Sequence, residues 1–284
     1  MSPARERAVQ TLKATYATFS GGNLTDWAAA LTYYGILSIF PALIVLLAVL
    51  GLVGENATGP LIDNVEQVAP DPARDVLTGA ITDLQRNQGT AGLLGLVALL
   101  VALWSASGYM GAFMRASNVI WGADNRPAKR ALPHRLMMTV ALLLGLFLTT
   151  LAVLLTGDFA NEVGKVLGLG DEALTVWGIA KWPVVGLLVA LMLGGLYRAA
   201  PARRHGGFLG TTAGSLLAVC LWLLVSAAFG YYVSNFGSYN RTYGALGSVV
   251  AFAIWLWISN IVILLGATVD AEIEKRNRMM PPPD

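Results

Sequence analysis

Polar side chains set inside long apolar runs are the residues of this 284-residue chain whose types could do chemistry. Tyr34, Ser38 and Pro41 recur at i, i+4 and i+7, which places them on one face of a helix. Polar groups in hydrocarbon must be satisfied inside the protein, so this face meets either another helix or a cavity. The two hydroxyls could therefore bind a polar substrate or only bond to a neighbouring helix, and Pro41 could do no more than bend the run.

A second polar face lies in the run WSASGYMGAFMRASNVIW, residues 104–121. Ser107 lies within it, and Arg115 and Asn118 end it. A guanidinium and an amide are groups that can hold a phosphate or carboxylate, so we take these residues as substrate-binding candidates. Asp270 ends the last apolar run and joins the candidates, because it could pair with Arg115 or only mark the membrane boundary.

The segment SYNRTYG, residues 238–244, precedes that last run and offers Tyr239, Asn240 and Tyr243 as further candidates. These side chains could bind a headgroup, although a tight interfacial turn is the favoured interpretation. Glycines predict helix packing instead, because they let a neighbouring backbone approach closely. The predicted packing positions are Gly108 and Gly111 in the second run, and Gly206, Gly210 and Gly214 in the fifth.

The elements that must position these residues follow from composition. Hydrophobic residues make up 56% of the chain and charged residues only 13%, whereas globular proteins carry about a quarter charged residues. This excludes a soluble protein and indicates an integral membrane protein. One cysteine and two histidines stand in no metal-binding spacing, and no GxxxxGK[ST] motif is present. The sequence therefore predicts no metal, no other cofactor and no direct use of ATP.

The predicted fold is all-α, a polytopic membrane protein with six transmembrane helices. A helix crosses the hydrocarbon core in about 20 residues. The six stretches that qualify are about 31–54, 91–112, 136–156, 179–197, 207–230 and 244–269. Of the 19 basic residues, 14 lie in the N-terminal segment, the 113–135 and 198–206 loops and the tail, so the positive-inside rule predicts that both termini are cytoplasmic.

The chain divides into three predicted parts: a cytoplasmic segment 1–22, a membrane domain 23–272 and a cytoplasmic tail 273–284. Val9, Leu12, Tyr16 and Phe19 fall on one helical stripe of the first part. This favours an amphipathic helix on the inner leaflet over a solvated tail.

Three stretches carry a family resemblance: AAALTYYGILSIFPALIVLLAVLG, LWSASGYMGAFMRASNVIWG and the segment from SYNRTYG to LLGATVDAE. They resemble the YihY/BrkB family of bacterial inner-membrane proteins, over residues 20 to 276. The resemblance implies six spans, cytoplasmic termini and a location in the inner membrane. The family has carried the label ribonuclease BN and a virulence label, and some members have been connected with lipid movement.

RNA hydrolysis would need clustered acids or histidines and a basic face with stacking aromatics, which the short loops do not offer, so we predict no enzyme and no nucleic-acid partner. The favoured function is a transporter or translocator of a lipid or other anionic substrate, with a polar seam between spans 1, 2 and 6. Its partners would be membrane lipids, an anionic lipid or small molecule, and, as an open alternative, further copies of the chain. The competing hypothesis is a non-transporting scaffold or partner subunit of an envelope complex.

Overall fold

The computed structural model describes residues 3–53, 88–154, 171–202, 212–235 and 245–279, and in these ranges it is helical, without strands. The helices are α1 (Pro3–Gly21), α2 (Leu24–Val53), α3 (Gln88–Trp121), α4 (Ala128–Leu154), α5 (Asp171–Ala199), α6 (Thr212–Asn235) and α7 (Ala245–Met279). The predicted all-α class is confirmed for the described part of the chain.

Long apolar runs explain why most of the length of α2 to α7 is helical, since a helix satisfies its backbone groups within the segment. Within the described residues, four stretches are long and apolar enough to cross a membrane: Ala128–Thr149, Trp182–Ala199, Ala213–Val233 and Val249–Arg278. They overlap the last four predicted spans. The first two predicted spans fall in α2 and α3, whose side chains are described only in part, so the count of six and the cytoplasmic termini stay predictions.

The buried core lies at the helix ends that the charge pattern assigns to the cytoplasmic side. Its largest fully buried apolar side chains are Leu24 and Leu31 of α2, Met110, Phe113 and Ile120 of α3, Tyr197 of α5 and Leu264 of α7. The apolar side chains of α4 and α6 are mostly exposed. Exposed apolar faces of this extent suit contact with lipid rather than water.

Helix α7 is the central element of the packing. It contacts α2, α3 and α6, and it also packs against α1. At the α1 contact, Thr18 donates a hydrogen bond to Glu272 at 2.9 Å, and Arg276 donates to Thr11 at 2.5 Å. Leu12 and Tyr16 of α1 stay exposed, and their predicted contact with the inner leaflet remains a prediction.

A tight turn joins α3 to α4 and sets the two helices side by side. Gly122 has a φ of 59°, a conformation that glycine adopts without steric cost. The Ala123 amide bonds to the Asn118 carbonyl at 2.9 Å, and the Gly122 amide bonds to the Val119 carbonyl at 3.2 Å. These two bonds are the Schellman pattern that ends helices. The short connection 122–127 therefore brings the end of α3 and the start of α4 together.

Candidate functional site

A cavity of about 290 Å³ lies where α3, the 122–127 turn and α4 meet. Its lining residues are Gly111, Met114, Arg115, Asn118, Asn125, Arg126, Ala128, Ala131, Leu132 and Arg135. We call it the arginine cavity, because three of its lining side chains are arginines and none is acidic. Two sequence-predicted binding residues, Arg115 and Asn118, and one predicted packing glycine, Gly111, line it.

Two of the arginines are held by aromatic rings. The guanidinium of Arg115 lies 5.8 Å from the ring centre of Trp27, and that of Arg135 lies 5.5 Å from the ring centre of Trp104. A ring attracts the cation through its face and forms no bond to the guanidinium N–H groups. Both arginines therefore keep donors for a ligand while their positions are restricted.

Gly111 lets these two arginines converge. A Cβ at this position would stand 3.0 Å from the Cδ of Arg135, 3.4 Å from its Nη1 and 3.5 Å from the Nη1 of Arg115. Both guanidiniums thus pass close to the same point on α3. Two like charges at one point repel each other, and an anion bound between them would remove that repulsion.

The third arginine joins the cavity to the end of α5. Arg126 donates hydrogen bonds to the carbonyls of Ala200 at 2.6 Å, Ala199 at 3.2 Å and Pro201 at 2.6 Å. Carbonyl groups at a helix C-terminus carry partial negative charge, so they hold the guanidinium without cancelling its full charge. Partial burial lowers the pKa of Arg126, and an arginine so perturbed remains charged near neutral pH.

The side-chain amide of Asn118 links the 122–127 turn to the segment that follows α5. It donates to the Asn125 side chain at 3.0 Å, and its oxygen accepts a hydrogen bond from the Ala202 amide at 2.7 Å. Since Asn118 is almost fully buried and both ends of its amide are engaged, it fixes the turn and the end of α5 in place. We assign it a positioning role at the cavity.

The charge of the cavity has no counterion among the described residues. None of the three arginines forms an ion pair there. The Nε of Arg135 is also buried without a hydrogen-bond partner. Buried polar groups without a partner are uncommon in proteins and call for an explanation, such as an ion that binds there. The arrangement can hold a phosphate or a carboxylate.

The polar groups between α2, α3 and α7 form a different arrangement, which we call the closed seam: Thr32, Tyr34, Gly108, Tyr109 and Asn260. Tyr109 donates to Asn260 at 2.9 Å, and Asn260 donates to Thr32 at 3.1 Å. A Cβ on Gly108 would stand 2.9 Å from the ring of Tyr34, so the ring fills the space beside this glycine. The described part of the seam is occupied by its own side chains.

Two further predicted binding residues bond to their own helices. Ser38 donates to the Gly35 carbonyl at 2.7 Å, and Ser107 donates to the Trp104 carbonyl at 2.7 Å. Ser107 is fully buried. Pro41 lies within α2, and its side chain lies outside the described residues.

Asp270 lies at a contact between α7 and α6. Its Oδ1 accepts a hydrogen bond from the Gly214 amide at 2.6 Å. Gly214 belongs to the first turn of α6, where amides lack partners in the helix, so Asp270 caps this helix from outside. A Cβ on Gly214 would meet Asp270 and the Gly266 carbonyl, which explains why glycines pack here. Neither residue lines the arginine cavity.

Several sequence-predicted positions lie outside the described residues: Tyr239, Asn240 and Tyr243 of the SYNRTYG segment, and Gly206 and Gly210 of the glycine series. Conversely, sequence reasoning missed Asn125, Arg126 and Arg135 as site residues. The two arginines were already explained by membrane topology, and Asn125 was not considered. Within the described part of the chain, no group of three or more His, Cys, Asp or Glu residues could hold a metal ion.

Comparison with known proteins finds one family match and several relatives that cover most of this chain. Residues 15–283 match the family described as "Virulence factor BrkB". The "Putative ribonuclease-like protein YfkH" of Bacillus subtilis (strain 168) is 31% identical over 272 residues, which cover 94% of this chain and 96% of the relative. The "UPF0761 membrane protein azo3165" of Azoarcus sp. (strain BH72) is 26% identical, over 93% of this chain and 64% of its own length.

A third relative, a "UPF0761 membrane protein" of Vibrio campbellii (strain ATCC BAA-1116), is 27% identical over 88% of this chain and 77% of its own length. The chain thus spans most of the Bacillus protein but only about two thirds of the Azoarcus protein. No solved structure matches.

Proposed function

The chain belongs to the BrkB family of membrane proteins, and on that premise we propose that it is a transporter or translocator of an anionic substrate or lipid. We place it in the bacterial inner membrane, with six spans and both termini in the cytoplasm. The charge distribution supports this placement, because most lysines and arginines lie in alternate loops. The sequence contains no phosphate-binding loop for ATP, so an ion gradient, the membrane potential or simple equilibration would drive movement.

The arginine cavity is the single observation that carries this proposal. Its three arginines lie beside the turn that the charge pattern assigns to the cytoplasmic side, and they lack an acidic partner among the described residues. A site with this charge attracts anions and can release them, because no permanent ion pair blocks it. The cavity would take up substrate at the cytoplasmic face.

A vesicle assay tests the function. The purified chain is reconstituted, and the movement of a labelled anionic lipid between leaflets is followed for the wild type, for Arg115→Gln/Arg135→Gln, and for the matched charge control Arg130→Gln. Arg130 is exposed on the first turn of α4 and does not line the cavity. We expect movement with the wild type and the control and its loss in the double variant. Equal movement in empty vesicles and in all three samples would reject transport.

A scaffold or partner subunit of an envelope complex is the second candidate, and the closed seam favours it. In the described part of this seam, Tyr109, Asn260 and Thr32 bond to one another instead of lining an open path. Hydrogen bonds of this kind are sufficient for a scaffold, because it has to hold its helices together and needs no path for a substrate. The vesicle assay separates the two candidates, since a scaffold would leave lipids in place.

We propose no nuclease activity and no other catalysis, and no nucleic-acid partner. The name of the Bacillus relative contains "ribonuclease-like", and that word describes the relative. The arginine cavity holds no acid or histidine that could act as a general base on RNA. Incubation of the purified chain with labelled RNA, with and without Mg²⁺, should leave the RNA intact, and cleavage lost in an arginine variant would contradict this.

A further inference from the structure

The composition of the arginine cavity also indicates the class of its ligand. We propose that the cavity binds a phosphate-bearing anion that has no positively charged group, and that it discriminates against zwitterionic headgroups. This inference rests on the proposed function only in taking the same cavity as the substrate site. Binding does not require movement, so each can fail without the other.

The phosphate preference follows from the type of cation. Arg115 and Arg135 present planar guanidiniums, whose paired N–H groups match two oxygens of one phosphate. Their aromatic partners occupy the faces and leave the edges, where these donors lie, for a ligand. At Gly111, one Nη1 of each guanidinium lies within 3.5 Å of the position that a Cβ would take, so a single phosphate can contact both.

Exclusion of zwitterions follows from what the lining lacks. An ethanolamine or choline headgroup carries a cation next to its phosphate. That cation needs a carboxylate or an aromatic face. The lining contains no Asp, Glu or aromatic residue, and the nearby rings of Trp27 and Trp104 already face Arg115 and Arg135. Placing it near three arginines would add repulsion that a purely anionic headgroup avoids.

A lipid source for this phosphate is favoured by the surroundings of the cavity. Leu132 lines the cavity and is exposed, and Leu136 and Val140 are exposed at i+4 and i+8 on the same face of α4. An acyl chain could follow this apolar stripe while its headgroup enters the cavity. A soluble phosphate would use the arginines and leave the stripe without a role.

Binding of defined lipids tests the inference. The full chain is placed in phosphatidylcholine nanodiscs that contain a small fraction of labelled phosphatidic acid, and the lipid retained per protein is measured. We expect phosphatidic acid to be retained in preference to labelled phosphatidylcholine. Charge-assisted hydrogen bonds suggest a loss of about tenfold in affinity for each arginine replaced in Arg115→Gln/Arg135→Gln. Arg130→Gln should retain the wild-type preference.

Each outcome decides the matter. Equal retention of both lipids by the wild type overturns the inference. It is also overturned if Arg130→Gln loses as much phosphatidic acid binding as Arg115→Gln/Arg135→Gln, because that would show general surface attraction.

The source of the phosphate is tested by competition. Displacement of labelled phosphatidic acid by millimolar inorganic phosphate supports the phosphate site with a soluble source, and no displacement supports the lipid source. An Arg115→Lys/Arg135→Lys variant keeps the charge, so full binding by this variant would reject the role of the guanidinium plane. Preferential binding without movement in the vesicle assay would leave this inference standing and reject transport.

Discussion

The arginine cavity and the closed seam both contain polar side chains on membrane helices, but these side chains are satisfied in different ways. In the closed seam, the donors of Tyr109 and Asn260 meet acceptors on neighbouring helices. In the cavity, Arg115 and Arg135 contact aromatic faces, and the Nε of Arg135 is buried without an acceptor. The difference teaches that polarity in a membrane helix does not identify a site by itself. In the arginine cavity, the site is indicated by three cations that have no acidic partner among the described residues, so that a ligand can supply the missing acceptors.

The glycine contact between α6 and α7 should give the largest effect on stability. In Gly266→Ala, the new Cβ would stand 2.6 Å from the Gly214 carbonyl oxygen and 2.7 Å from the Cβ of Ala218. Overpacking of this kind destabilises proteins by about 1–3 kcal/mol, and rigid backbone on one side places this variant at the upper end. The midpoint of thermal unfolding of the purified protein measures it.

Gly195→Ala is the matched control, because nothing lies within 4 Å of a Cβ at that position. It should unfold at or slightly above the wild-type temperature, since alanine favours helix over glycine by about 1 kcal/mol. If both glycine variants unfolded at the same temperature, the close packing of α6 and α7 would be refuted.

Removal of the central amide of the closed seam should give the next largest effect. Asn260→Ala leaves the buried Tyr109 hydroxyl without its acceptor, at a cost of about 1–3 kcal/mol. Tyr109→Phe removes the other partner, and the double variant should lose less than the sum of the two single losses. Strict additivity in this cycle would show that the Tyr109–Asn260 bond contributes nothing.

Substitution of Gly111 should affect the cavity and spare the fold. In Gly111→Ala, the Cβ would crowd the Cδ of Arg135 at 3.0 Å, and this flexible side chain can move away. We expect a threefold to fivefold loss of phosphatidic acid binding, or about 1 kcal/mol, with an unfolding temperature close to that of the wild type. A large drop in that temperature with unchanged binding would place Gly111 among the packing glycines, as the sequence predicted.

The smallest effect is expected for the aromatic support of Arg115. Trp27→Leu removes a ring contact that is worth about 0.5–1 kcal/mol at exposed sites, so binding should weaken twofold to fivefold. Trp27→Phe keeps an aromatic face and should retain more of the binding than leucine. If leucine and phenylalanine had the same effect, the ring contact would not hold Arg115 in place.

The sequence predicted the helices well because apolar runs of this length have few alternatives in a membrane. Helix ends were less predictable: α2 begins at Leu24 and α3 extends to Trp121, since polar and charged residues continue a helix beyond the apolar run. Arg115 and Asn118 were found as candidates because they end a polar face. Arg135 was missed, although it lies about as far after the short 122–127 turn as Arg115 lies before it, and an antiparallel pair of helices would bring the two together.

The closed seam was not predictable in detail. Tyr109 and Asn260 are 151 residues apart, and nothing local in either run indicates its partner. Gly214 and Asp270 pair for a reason that becomes visible only when α6 and α7 are placed in contact. Contacts of this kind depend on helix order and rotation, which periodicity alone does not determine.

The most direct test of the account measures phosphatidic acid binding and the unfolding temperature together for Arg135→Gln and Asn260→Ala. We predict that Arg135→Gln loses about tenfold in binding and keeps its unfolding temperature, because its donors serve a ligand. Asn260→Ala should instead unfold at a lower temperature and bind, when folded, within twofold of the wild type. The opposite pattern, in which Arg135→Gln unfolds early and still binds while Asn260→Ala stays stable and loses the lipid, would contradict the account.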